Sequence, residues 1–195
     1  MRIALLHGWG FDAGVWDALA PLLAPLGDIT RMDRGYFGAA VESERPDLMI
    51  GHSLGAMLLS RRWSDVPLVA INGFDRFCGT DAVAPRVVQR MVKRFGEDPA
   101  KVLADFRASI SGGPAPPMVS RERLGEDLAL LADQTQPPAH RASVLVLQAE
   151  DDPLLPPALR KRALGGPSAV CDQGGHLLPL TQAAWCAAQI ADFAR

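Results

Sequence analysis

The sequence predicts an α/β protein built on a mostly parallel sheet of about six strands with flanking helices. Short, continuously apolar runs alternate with stretches of helical periodicity, the order that right-handed crossovers between parallel strands require. Two of those runs pass straight into glycine-bracketed turns, at 7–10 and 51–55. The alternation breaks once, over about 74–140, where the residues read as helices alone. An insertion of this kind commonly covers the active edge of a parallel sheet as a lid.

A chain of 195 residues suits a single domain over 1–195 with a sizeable core. A formal net charge of -2 and a pI near 6.1 give no global attraction to nucleic acid or to an anionic membrane. No apolar run is long enough to span a bilayer, and Met1 to Leu6 reaches the His7-Gly8 turn too soon for a signal peptide, so a cytoplasmic protein is expected. Cys78, Cys171 and Cys186 are an odd, widely separated set without metal-ligand spacing. They are expected as reduced thiols, with neither a metal nor a cofactor implied.

Taken in order, residues 3–6 read as a buried strand, followed by the loop His7-Gly8-Trp9-Gly10. Val15, Trp16, Leu19, Leu22 and Leu23 then lie at helical spacing over 12–24, with Pro25 beyond. A second strand at 28–32 leads to the turn-rich 33–38, and the short apolar run 47–50 forms the third. A helix is expected over 54–63 and a fourth strand over 68–71, which places His7, Ser53 and Asn72 at the carboxyl edge where open parallel sheets bind ligands. The insertion reads as helices over 83–95, 99–110 and 120–132. Alternation resumes with a strand at 144–147, a helix at 157–164, a strand at 168–171 and a closing helix at 181–194.

The stretch Gly51-His52-Ser53-Leu54-Gly55 joins a strand to a helix in the pattern of a nucleophile elbow. Such a turn holds the serine in a strained conformation, and residues without side chains on either flank let strand and helix pass closely. A serine hydroxyl needs a base within hydrogen-bond reach and an acid to orient that base. His176, in the diglycine loop after the last strand, is the best placed of the four histidines to act as base. The acid comes from Glu150-Asp151-Asp152-Pro153 after the preceding strand, with Asp152 chosen and Asp151 as the fallback. The amides of Leu54 and Trp9 would form an oxyanion hole, in which one donor is typically worth about 3 kcal/mol.

With these residues in hand, the sequence resembles the α/β-hydrolases, as a minimal member with a small helical lid. Within them it most resembles the pimeloyl-ACP methyl ester esterases of biotin synthesis. The resemblance rests on Leu5-Leu6-His7-Gly8-Trp9-Gly10, Ser53-Leu54-Gly55, Phe106, Asp152 with Leu155-Pro156, and His176 with Pro179 and Cys186. It implies hydrolysis of the methyl ester of pimeloyl-ACP through an acyl-enzyme. Ser53 would be nucleophile, Asp152 the orienting acid and His176 base then acid, with Trp9 and Leu54 at the substrate carbonyl and Phe106 to Ile110 lining the acyl channel. The partner implied is an acyl carrier protein.

The chain departs from the family in starting directly at the His-Gly strand, in carrying His52 where tryptophan is common, and in placing Tyr36 at a glycine position. Independently of the resemblance, Arg86, Arg90 and Arg94 recur every four residues, joined by Lys93, opposite an apolar stripe of Val88, Met91, Val92 and Phe95. That ridge would steer an acidic carrier protein. The alternatives are an esterase or thioesterase for another small acyl substrate, and a non-catalytic binding protein of the same fold.

Overall fold

The computed structural model describes residues 1–79, 82–135 and 140–195; residues 80, 81 and 136–139, all within the expected insertion, lie outside the described residues. The chain begins with β1 (Arg2–Leu6), passes through a 3-10 turn at Ala13–Trp16 and α1 (Ala20–Leu23), and enters β2 (Asp28–Met32). Next come β3 (Leu48–His52), α2 (Leu54–Arg62) and β4 (Leu68–Ile71), then three consecutive helices, α3 (Pro85–Glu97), α4 (Pro99–Ser109) and α5 (Arg121–Leu131). It closes with β5 (Val144–Ala149), α6 (Pro157–Arg162), β6 (Ser168–Cys171), α7 (Leu178–Thr181) and α8 (Ala183–Phe193). The strands form one six-stranded sheet in the order β2-β1-β3-β4-β5-β6, and every pairing is parallel.

The strand sequences explain why both faces are covered. Side chains alternate across a strand, so Ile3, Leu5, Ile50 and Val69 point to one face, where they meet Trp16, Leu19, Cys186 and Ile190. Ala4, Leu6, Met49 and Leu68 point to the other, against Leu59 of α2. Each fully buried Leu or Ile contributes about 2 kcal/mol relative to exposure. Strands apolar on both faces can form only inside such a sandwich, which is why they read as unbroken runs.

The order of strands places β2 on one side of β1 and β3 on the other. A crevice opens at such a reversal, and the loops after β1 and β3 flank it. Above this edge α3, α4 and α5 pack on one another around Val88, Phe95, Leu103 and Leu128, with Trp9 from the β1 loop inserted among them. Buried polar contacts tie this cap to the sheet. The Arg34 guanidinium donates to both carboxylate oxygens of Asp127 on α5, each at 2.7 Å, and the Tyr36 hydroxyl donates to the same carboxylate at 2.6 Å. Arg107 on α4 donates to the Gly10 carbonyl at 2.7 Å.

One expected helix is broken. The stretch 12–24 forms the 3-10 turn and α1, followed by a second 3-10 turn at Ala24–Leu26; Pro21 lacks the N–H that would continue a helix through it, and its ring crowds the preceding turn. The closing helix expected over 181–194 forms as α8, preceded by the short α7, from which Gln182, with a non-helical φ of -133°, separates it. The first cap helix begins at Pro85 rather than Val83: Ala84 is extended, with ψ 128°, as a residue before proline prefers. Among the described residues no helix is long and apolar enough to cross a membrane.

Candidate active site

β3 runs into α2 through Ser53, whose φ of 53° and ψ of -121° lie in a region that non-glycine residues avoid. Close packing sustains the strain. A Cβ on Gly51 would come within 2.3 Å of the Ala56 Cα, and one on Gly55 within 2.1 Å of the Leu6 carbonyl oxygen. Both glycines are therefore needed for β1, β3 and α2 to meet. Gly55→Ala is expected to lower stability by roughly 2–3 kcal/mol, read as a fall in the urea midpoint with an unchanged slope.

Ser53 is 9% exposed, and its side chain does not cap α2. It lines a predominantly apolar cavity of about 270 Å³ together with Trp9, Phe74, Met91, Phe106 and Leu154. The amide of Leu54 begins α2, where the helix dipole favours negative charge. The Leu54 side chain is buried in the cap core, which leaves the backbone as its means of meeting a substrate. Trp9 is fixed by its indole N–H, donating to the Leu124 carbonyl at 2.7 Å, and by edge-on packing against Phe106 at 4.9 Å between ring centroids.

Asp152 and His176 come from the loops after β5 and β6, farther along the same edge. His176 Nδ1–H donates to Asp152 Oδ2 at 2.8 Å, with both side chains buried. This bond sets the tautomer and leaves Nε2 as the basic nitrogen. Nε2 is buried and has no hydrogen-bond partner among the described residues. The bond to the Ser53 hydroxyl is thus not closed in this state; unliganded active sites often tighten such contacts only around substrate. Burial works against ionisation of Asp152, but the His176 imidazole and the backbone N–H of Leu154 outweigh it, holding the carboxyl below its usual range.

Asp151 does different work. Its carboxylate accepts the Gly175 N–H at 2.8 Å and the Gly174 N–H at 3.3 Å. Of the two aspartates left open by the sequence, Asp152 contacts the histidine ring and Asp151 holds the loop that carries it.

Phe106 lines the serine cavity and also an adjoining one of about 300 Å³, bordered by Arg90, Arg94 and Asp105. Ile110 lines neither. It borders a separate cleft of about 360 Å³ beside His176 and Gly175. Arg86, Arg90, Lys93 and Arg94 are all exposed on α3. Arg94 lies 3.1 Å from Asp105, which Lys101 also approaches at 3.2 Å, so the ridge is partly neutralised from α4. Arg86, Arg90 and Lys93 have no ion-pair partner among the described residues.

His52 and Asn72 were not given roles by their sequence positions, yet both contact the histidine loop. His52 Nε2–H donates to the His176 carbonyl at 2.9 Å, and the two imidazoles lie 5.0 Å apart. Burial, reinforced by the neighbouring His176, pushes the His52 pKa down to about 3, so it is neutral near pH 7. Among the described residues no cluster of His, Cys, Asp or Glu could hold a metal ion.

No family model matches the chain. It is 29% identical over 136 residues to the biotin biosynthesis bifunctional protein BioHC of Cellvibrio japonicus, covering 57% of this chain and 27% of that protein. It is 28% identical over 127 residues to the pimeloyl-[acyl-carrier protein] methyl ester esterase of Legionella pneumophila strain Corby, covering 54% of this chain and 53% of that one. The chain thus spans about half or less of the curated relatives it matches. Among solved structures, an esterase from Exiguobacterium antarcticum superposes with a TM-score of 0.77 at 14% identity, covering 100% of this chain and 91% of that one. An enol-lactonase from Burkholderia xenovorans LB400 gives 0.76 at 16% identity, covering 98% and 90%. At these identities the superpositions establish the α/β-hydrolase fold.

Proposed function

We propose that this chain is a serine carboxylesterase whose substrate is the methyl ester of an acyl group borne on a carrier protein, pimeloyl-ACP methyl ester. The buried His176–Asp152 pair on the same edge as the strained Ser53 carries the reading. Ser53 Oγ attacks the ester carbonyl while His176 Nε2 takes its proton, and Asp152 stabilises the imidazolium. The Leu54 and Trp9 amides receive the charge on the carbonyl oxygen. Methanol departs with the proton from His176, and water, activated by the same nitrogen, releases the acid. In this reading α3, α4 and α5 are the lid of a single domain.

The substrate assignment draws on the similarity to pimeloyl-ACP methyl ester esterases and on the basic residues beside the second cavity. That cavity shares Val87, Met91, Phe106 and Leu154 with the serine cavity, a route for an extended chain between Ser53 and the α3 surface. The test is steady-state hydrolysis of synthetic pimeloyl-ACP methyl ester beside a short p-nitrophenyl ester. Preference for the carrier-bound ester supports the assignment, and equal or better turnover of the short ester moves it to another small acyl ester or thioester. Failure of the native protein to react with a serine-directed phosphonate would instead leave a non-catalytic binding protein. Arg86→Glu with Arg90→Glu is expected to raise KM for the carrier-bound ester about tenfold at low salt, with the short ester unaffected. Equal losses on both would remove carrier docking from this helix.

A further inference from the structure

The loop bearing His176 is built on two glycines, Gly174 and Gly175, at φ 152° and 62°. Such a pair gives the imidazole reach across the sheet edge and leaves its position loosely determined by the backbone. Something outside the loop must supply the order that catalysis demands.

Asn72 stands where that order can be imposed. It follows the last residue of β4, between the strand that leads to Ser53 and the strand that leads to Asp152. It is wholly buried and adopts φ 44°, a conformation asparagine tolerates better than most residues. Its backbone N–H donates to the Leu147 carbonyl at 2.8 Å. Its side-chain oxygen accepts the Ala149 N–H at 2.9 Å, three residues before the acid. Its side-chain nitrogen donates to the Gly175 carbonyl at 2.9 Å and to the His176 carbonyl at 3.0 Å, using both of its hydrogens. His52 Nε2–H brings a second buried donor to the same His176 carbonyl.

We propose that Asn72, assisted by His52, is a positioning residue of the catalytic base: one amide side chain joins the acid's strand to the histidine's peptide and, with Asp151 on the glycine amides, keeps the imidazole at the sheet edge that carries Ser53. The inference rests on the serine hydrolase reading above. It assigns Asn72 no contact with substrate. It makes the side chain's absence a fault in geometry, in which the imidazole wanders while the acyl cavity is intact.

Asn72→Ala should lower kcat about 100-fold, the scale of an ångström-sized misplacement, with KM for the short ester unchanged. The downfield proton resonance of His176 Nδ1–H bonded to Asp152 should broaden or disappear. That resonance requires no turnover. A native protein that shows it while failing to hydrolyse any ester or react with the phosphonate would sink the enzyme reading and leave the clamp standing. A folded Asn72→Ala protein with native kcat and a native resonance would overturn the clamp. Should Asn72→Ala fail to fold, His52→Phe and His52→Gln decide the matter. Loss of kcat in the first with recovery in the second, whose amide can donate to the same carbonyl, supports the proposal, and native kcat in both overturns it.

Discussion

Replacing Ser53 with alanine is expected to lower kcat by roughly 10⁶-fold, the scale seen when a triad nucleophile is removed, with thermal stability preserved. The size of the loss follows from the absence of a substitute: among the described residues no other hydroxyl borders the cavity in which Ser53 lies. Preserved stability follows from the side chain's isolation, since its oxygen does not cap α2, while the backbone strain at φ 53° is common to serine and alanine. Parallel measurement of ester hydrolysis, phosphonate labelling and the melting curve separates the two effects. Hydrolysis by the variant at the native rate would place the nucleophile elsewhere.

Asp152→Asn is expected to cost about 10⁴-fold in kcat. The native carboxylate accepts the His176 Nδ1–H, whereas an asparagine can present its own N–H there. The imidazole would then carry its proton on Nε2, facing Ser53 as a donor and no longer as a base. Asp151→Asn should have a far smaller effect, because an amide oxygen can still accept the Gly175 N–H that Asp151 holds now. Steady-state kinetics on both variants give the contrast, and comparable losses would return the choice of acid to an open question.

The central strands β1, β3 and β4 were legible because each is a short run apolar on both faces, a pattern that a fully covered parallel sheet demands. The elbow was legible because its strain and close approach fall on adjacent residues, so Gly51, Ser53 and Gly55 advertise it locally. The first helix was misjudged where apolar spacing outweighed Pro21, plainly present. Asn72 could be placed at the edge and no further. Its partners Ala149, Gly175 and His176 lie 77 to 104 residues away along the chain, and no local spacing encodes them. The charge of the α3 ridge was overestimated for the same reason: Asp105, which meets Arg94, sits on the neighbouring helix.

Strands β4 and β5 are neighbours in the sheet although the whole cap lies between them in sequence. The entropy of closing such an excursion grows only logarithmically, about 0.6 kcal/mol for each doubling of its length. Insertions and deletions in the cap can therefore accumulate across evolution with little thermodynamic cost to the sheet, reshaping the cavity above Ser53 while the loops of the sheet edge stay put. That freedom is limited where cap side chains reach the sheet loops, as Asp127 and Arg107 do. Arg107 braces the Gly10 carbonyl from α4, so a transplanted cap lacking it would leave the peptide next to Trp9 without that support.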